Sequence, residues 1–260
     1  MKKLFYVFSF FLIVTLQNTA IAAETTTNFT KQQIKQIEKV THDYLVNNPQ
    51  VLVEVGKKLQ EQELEEQKAQ IARIKIAIPK YKNKIFDTKT PGRIVLGNPQ
   101  GKIILAEFTQ HQCHHCKEAT VLVDKLLKNH PEIQFITIYW PFFGDDAAYT
   151  AQAVLAAQKQ NKAEELNQAI FAYKDTPTKD RADTIIKSIA GLDSKKLYAD
   201  MTAKELESGL RENFNLAKDL ELIGTPSLIF TNREMTKFSL VPGQTPTFEK
   251  DLTKALNEVQ

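Results

Sequence analysis

Two cysteines, Cys113 and Cys116, stand three residues apart in a chain of 260 residues. With no third thiol, the chain cannot staple distant segments together, and any fold it adopts has to be held by a buried apolar core. A bridge between these two closes so small a loop that it removes little entropy from the unfolded chain. Secreted chains that rely on disulfides for stability scatter an even number of cysteines along the sequence. The pair therefore reads as chemistry and not as reinforcement.

The amino terminus reads as an address. Lys2 and Lys3 give a basic start, Leu4 to Leu16 an apolar run, and Ala20-Ile21-Ala22 an A-x-A cleavage site, so residues 1–22 are expected to be a signal peptide. The apolar run is shorter than the roughly 20 residues that a spanning helix needs. No later apolar stretch reaches that length, so the mature chain is expected to be soluble. The leader looks bacterial, which makes the periplasm the expected destination. The formal net charge of +3 includes Lys2 and Lys3, so the mature chain is close to neutral. It lacks the concentrated basic patch that nucleic-acid binding wants.

Residues 23–78 read as a helical arm. Ile34, Ile37, Val40, Tyr44 and Leu45 recur at helical spacing, and Asn48-Pro49 offers an N-cap and a first-turn proline for a second helix with Leu52, Val55 and Leu59 along its seam. Gln60 to Gln70 keeps helical propensity but loses apolar character, and the seam resumes at Ile71, Ile74 and Ile78. A segment of this kind cannot bury enough surface alone. Pairing of residues 30–78 with another copy, giving a homo-oligomer, is favoured over packing on the same chain. Residues 79–102, with Pro79, Pro91-Gly92, Gly97-Asn98-Pro99 and Gly101, read as a linker.

The catalytic part is expected over 103–260. Ile103 to Phe108 reads as a buried strand, Cys113 to His130 as a helix and Ile133 to Tyr139 as a strand. An all-helical insert follows over about 145–222, with Gly191 as a C-cap and Asp193-Ser194 as the next N-cap. Strands Ser227 to Phe230 and Lys237 to Val241 come next, then a closing helix with Phe248, Leu252, Ala255 and Val259 on one face. The class is α/β, and the order β-α-β, helices, β-β-α is similar to a thioredoxin-like fold with a helical-domain insertion.

If Cys113 opens its helix, Cys116 lies one turn on and about 5–6 Å away, within bridging reach. The first thiol then sits at the positive helix end, where unpaired N–H groups favour the thiolate. His114 and His115 between the cysteines can add hydrogen bonds or charge. Such settings lower a thiol from about 8.5 to roughly 3.5–7.5. The stabilised anion both attacks and departs readily, which makes the disulfide an oxidant. A second reading takes His111, Cys113, His114, His115 and Cys116 as soft ligands. Structural zinc wants two separated ligand pairs, which are missing here, whereas cuprous ion needs fewer thiolates. A copper-binding or surface interaction protein is therefore the alternative. His42 and His130 read as a helix-surface and a helix-end residue, and Trp140 as core or groove lining.

The residues Ala106-Glu107-Phe108, Cys113-His114-His115-Cys116, Trp140-Pro141-Phe142-Phe143-Gly144, Ala151 to Ala157 and Ile223-Gly224-Thr225-Pro226-Ser227 together resemble the DsbA-like disulfide oxidoreductases over residues 94–260. The resemblance implies a protein disulfide oxidoreductase or isomerase needing no cofactor. It implies that Pro226 is cis and faces the cysteines, with Thr225 offering backbone hydrogen bonds to a substrate strand. Glu107 stands where thioredoxin-like proteins put a buried acid, which would relay a proton for Cys116. His114 replaces the proline common in the DsbA pair, and Thr225 resembles the residue in isomerases such as DsbC. The helical segment 30–78 followed by Val95 to Pro99 resembles the amino-terminal oligomerisation arm of ScsC-type proteins. The implied partners are unfolded or misfolded exported proteins with thiols, and a DsbB-like or DsbD-like membrane redox protein.

Overall fold

The computed structural model describes residues 29–243, 245 and 247–260. The expected signal peptide lies outside the described residues. Among those described, no helix is long and apolar enough to cross a membrane.

The described residues divide into two compact units that part between Gln60 and Glu61. In the first, α1 (Lys31–Asn47) begins with a capping box in which Thr30 Oγ1 accepts from Gln33 N–H and Gln33 Oε1 accepts from Thr30 N–H. Asn48 does not cap the second helix as expected. Its backbone N–H and its amide both donate to the Tyr44 carbonyl, at 2.9 and 2.8 Å, and so close α1. The helix α2 (Gln50–Ile85) begins in this unit. Ile34, Ile37, Val40, Tyr44, Leu52, Val55 and Leu59 are all between 45% and 67% exposed, so the seam read from the sequence is present and uncovered.

In the second unit the later turns of α2 are part of the body. Ile74, Ile78 and Ile85 are buried with Ile104, Phe108, Ile136 and Ile229. The expected linker over 79–102 therefore gives way to the end of α2 and to the strand β1 (Arg93–Gly97). Pro79 lies inside the helix, where it removes one backbone bond at a cost of about 3 kcal/mol. Burial of Ile78 and Ile85 on either side contributes roughly 1.5–3 kcal/mol each, which offsets that cost. The helix end is then fixed by the buried Arg93. Its Nη1 donates to the carbonyls of Lys84, Ile85 and Asp87 at 2.5, 3.3 and 2.7 Å, and its Nε to Asn213 Oδ1 at 3.3 Å. Asn213 Nδ2 in turn donates to the carbonyls of Gly92 and Tyr139.

The sheet has the order β1-β3-β2-β4-β5, with β2 (Ile103–Thr109) and β3 (Ile133–Tyr139) parallel and β4 (Ser227–Asn232) and β5 (Phe238–Pro242) antiparallel to their neighbours. Every residue of β2 and β3 is buried, which is why both read as nearly continuous apolar runs. One face carries α3 (His114–Asn129) and α9 (Phe248–Val259), through Leu105, Val123, Phe135, Phe230, Phe248 and Leu252. The other carries α2 and α8 (Lys204–Asp219). The insert comprises α4 (Asp145–Ala157), α5 (Ala163–Ala172), α6 (Lys179–Ser188), α7 (Ser194–Met201) and α8, capped at Thr178 and Asp193 and closed over Val154, Leu166, Ile186 and Leu197. Two glycines let α8 approach the turn before β1. A Cβ on Gly209 would overlap the Pro91 carbonyl, and one on Gly92, which has φ +92°, would stand 2.7 Å from the Gly209 carbonyl carbon.

Candidate active site

Strand β2 ends at Thr109, and the short turn after it delivers Cys113 as the N-cap of α3, with φ −91° and ψ 114°. Cys113 and Cys116 are joined as a disulfide with their Cα atoms 5.2 Å apart. The Cys116 N–H donates to Cys113 Sγ at 3.0 Å, so one of the orphan donors of the helix start is already aimed at the sulfur. The same donor would hold a thiolate there, with the dipole adding to it.

The loop before β4 completes the pocket around the sulfur. The Thr225–Pro226 peptide is cis, and the Thr225 carbonyl oxygen lies 3.3 Å from Cys113 Sγ. Gln110 Nε2 donates to Thr225 Oγ1 at 3.3 Å, and Gln110 Oε1 accepts from the Phe143 N–H at 3.2 Å. One side chain thus ties the turn before the cysteines to both the Thr225 loop and the aromatic run after β3. Trp140, Phe142 and Phe143 are in ring contact in sequence, each pair 4.6 Å apart, and Phe143 and Ile223 are exposed.

The histidines are not where the chemistry expected them. His114 and His115 are exposed, and both pair with Glu118 rather than with Cys113 Sγ, at 3.3 and 3.4 Å. The i,i+4 and i,i+3 spacings on a helix bring those side chains together. His111 is buried. Its Nε2 faces Asn167 Oδ1 at 2.9 Å, where the Tyr139 hydroxyl also donates at 2.6 Å, and its Nδ1 has no hydrogen-bond partner. Burial pushes the His111 imidazole down to about 4, so it is neutral at ordinary pH and brings no charge to the thiol.

Glu107 is 4% exposed on the central strand, opposite Thr137 of β3 and Leu228 of β4. It is not an edge residue facing water. Burial first, and the neighbouring Asp124 charge second, push its carboxyl up to about 8. The reading of the sequence missed the insert's contribution. Phe171 packs against Cys113 and Cys116 and stands 4.6 Å from the His111 ring. Lys117 Nζ donates to the carbonyls of Tyr173 and Lys174, and Gln112 Nε2 to that of Pro177 at 2.9 Å. None of these partners is near the cysteines in sequence. Among the described residues no three His, Cys, Asp or Glu side chains are grouped to hold an ion.

The family model described as Thioredoxin matches residues 89–256, and that of the Copper resistance protein ScsC N-terminal domain matches residues 33–66. No curated protein matches. Among solved structures, a thioredoxin-like oxidoreductase from Silicibacter pomeroyi is 28% identical, covers 67% of this chain and 95% of its own, and superposes with a TM-score of 0.60. The thiol-disulfide exchange protein alpha-DsbA2 from Wolbachia pipientis is 26% identical over 71% of this chain and 95% of its own, with a TM-score of 0.62. Proteus mirabilis ScsC in a transitional conformation, 24% identical, covers 89% of this chain and 99% of its own with a TM-score of 0.58. That last likeness is one of fold.

Proposed function

Because the chain belongs to the thioredoxin family, as its residues 89–256 match, we propose that it is an exported bacterial disulfide oxidoreductase that forms and reshuffles disulfides in periplasmic client proteins. The observation that carries this reading is the setting of Cys113. Its sulfur receives the Cys116 N–H at 3.0 Å and faces the Thr225 carbonyl at 3.3 Å.

In the oxidising direction a client thiolate attacks Cys113 Sγ. The Cys113–Cys116 bond breaks, Cys116 leaves as a thiolate, and a mixed disulfide joins client and Cys113. A second client thiolate then attacks the client sulfur of that bond, and Cys113 leaves as the helix-stabilised thiolate. The client gains a disulfide, and the enzyme holds the two electrons as a dithiol. Glu107, with its carboxyl raised to about 8, donates the proton that Cys116 needs as it leaves and recovers it on the return step. The Thr225 backbone, beside the cis bond to Pro226, pairs with an extended client strand. The exposed Phe143 ring accepts apolar client side chains.

The arm supports the reshuffling role. Its uncovered seam, from Ile34 to Leu59, is suited to pairing with further copies of the chain, while Ile74 and Ile78 of the expected 30–78 arm are taken up by the body. Several Cys113 sites held together can engage a misfolded client repeatedly, and Thr225 agrees with that role. A DsbD-like reductant would keep the pair as dithiol for isomerisation, and a DsbB-like oxidant would return the disulfide for oxidation. Replacement of the cysteines one at a time tests the proposal. Cys116→Ser should accumulate mixed disulfides with clients on non-reducing gels, and Cys113→Ser should abolish them. Insulin reduction surviving in Cys113→Ser would overturn the mechanism.

A further inference from the structure

Between the sheet, α3 and α5 lies a cavity of about 240 Å³. At its inner end are Glu107 Oε1 and Thr109 Oγ1, two buried polar atoms on one face of β2 whose side chains interact only with each other, the Thr109 hydroxyl slightly opposing the upward push on the carboxyl. Buried polar atoms are rarely left so, and a polar cavity of this size has room for several waters that would serve them. Its wall includes Thr120 and Phe171. Thr120 Oγ1 donates to the Cys116 carbonyl at 2.9 Å, and Phe171 packs on both cysteines.

The carboxylates along this cavity are graded by exposure. Glu107 is buried, Asp124 is half-buried, and Glu164 is exposed together with Lys128 at the outer end. From these positions we propose that the cavity is the proton route between solvent and Glu107, with Asp124 as the positioning residue midway and Glu164, on the helical insert, at its mouth. The proposal rests on the reading that Cys113 and Cys116 cycle, because each cycle requires Glu107 to give up and regain a proton while Cys116 itself is sealed from water at 0% exposure.

The charged and titratable groups facing this path are few. Tyr139 of β3 senses the Glu107 charge and is held protonated by burial. Asp124 is itself raised, by burial first, with Lys128 opposing and Glu164 adding. A carboxylate that is easier to protonate than a surface one can pass a proton inward. Its negative charge also helps keep Glu107 protonated.

The full-length protein carrying Asp124→Asn, Asp124→Glu or Glu164→Gln tests this. The protonated carboxyl band of Glu107 is followed by infrared difference spectroscopy against pH, with Glu107→Gln to assign it. Reduction of the disulfide by dithiothreitol is timed in light and heavy water. Asp124→Asn should move the Glu107 midpoint to lower pH, slow reduction by roughly tenfold, short of the 10²–10⁴ that loss of the acid itself can cost, and enlarge the solvent isotope effect. Asp124→Glu should restore all three. The exposed Glu164→Gln, which no core depends on, should produce the same changes in smaller measure. An unmoved Glu107 midpoint together with an unchanged isotope effect in Asp124→Asn and Glu164→Gln would overturn the route. The infrared titration needs no thiol exchange, so a pair that dithiothreitol fails to reduce would count against the redox reading and be told apart from failure of the route.

Discussion

Glu118 holds a carboxylate oxygen 3.3 Å from Nε2 of His114, one helical turn along α3. Its other oxygen stands 3.4 Å from Nδ1 of His115. The positive charge that the two histidines could lend to a Cys113 thiolate is therefore shared with a carboxylate. The electrostatics between the cysteines is a balance of three side chains.

Glu118→Gln should accordingly make the disulfide more oxidising, because the reduced form loses a negative charge one helical turn from the Cys113 thiolate. Exposed pairs are worth about 0.2–1 kcal/mol, which is on the order of 5–20 mV for a two-electron couple. Replacing both His114 and His115 by alanine should shift the potential the opposite way. Equilibration with glutathione buffers reads both changes. Equal potentials in all three proteins would leave the helix terminus as the whole source of thiolate stability.

Stability should depend on pH through two buried groups of opposite sign. Glu107 is raised from 4.5 to about 8, so the folded state keeps a proton that the unfolded chain has lost, and stability falls as pH climbs across that window. His111 is lowered from 6.5 to about 4, so stability is lost as pH falls from 6.5 towards 4. Between pH 4.5 and 6.5 the two nearly cancel. From 6.5 to 8 Glu107 acts alone and should remove about 2 kcal/mol. Urea titrations of the oxidised protein across this range should give a plateau followed by that decline. In Glu107→Gln the decline should disappear.

Two truncations should separate the arm from the body. A chain beginning at Glu61 lacks the exposed residues from Ile34 to Leu59 but keeps the buried Ile74 and Ile78. It should be monomeric by light scattering and retain thiol exchange. A chain beginning at Lys80 also loses those two isoleucines, worth roughly 1.5–3 kcal/mol each. It should unfold at markedly lower denaturant. A full-length protein that scatters as a monomer would remove the case for self-association.

Arg93→Met should cost on the order of 3 kcal/mol. It leaves three helix-end carbonyls and Asn213 Oδ1 without their donor, and unpaired buried acceptors are expensive. Thermal melts would detect this, and a change below about 1 kcal/mol would mean that water replaces the guanidinium.

The elements that carry the cysteines were legible because their signals are local. Strand β3 runs from Ile133 to Tyr139 as read, and α3 begins beside Cys113 and ends before His130. Strand β1 was not legible. Its five residues start directly after Pro91-Gly92 and end on the Gly97 of Gly97-Asn98-Pro99, and those turn signals outweighed the short apolar run of Ile94, Val95 and Leu96. Pro79 misled in the same way, since only tertiary burial of Ile78 and Ile85 keeps the helix intact across it. Within the site, Cys113, Cys116, Glu107, Thr225 and Pro226 each carry a short-range mark. Phe171 and Asn167 do not, because they reach the cysteine turn from the insert, with His111 and Asn167 56 residues apart. The pairing of Glu118 with the histidines was present in the spacing and went unread.

The contact between Gly92 and Gly209 bears on solubility. Strand β1 is the outermost strand on its side and covers β3 along five residue pairs. Any side chain larger than hydrogen at position 209 would push the Pro91–Gly92 turn outward and peel β1 away. The edge so uncovered is Ile133-Gln134-Phe135-Ile136-Thr137-Ile138-Tyr139, of which every residue but Gln134 is β-branched or aromatic, with no charge and no proline. Sequences of that kind recruit one another edge to edge into aggregates. Gly209→Ala should therefore betray itself first as insoluble protein during expression.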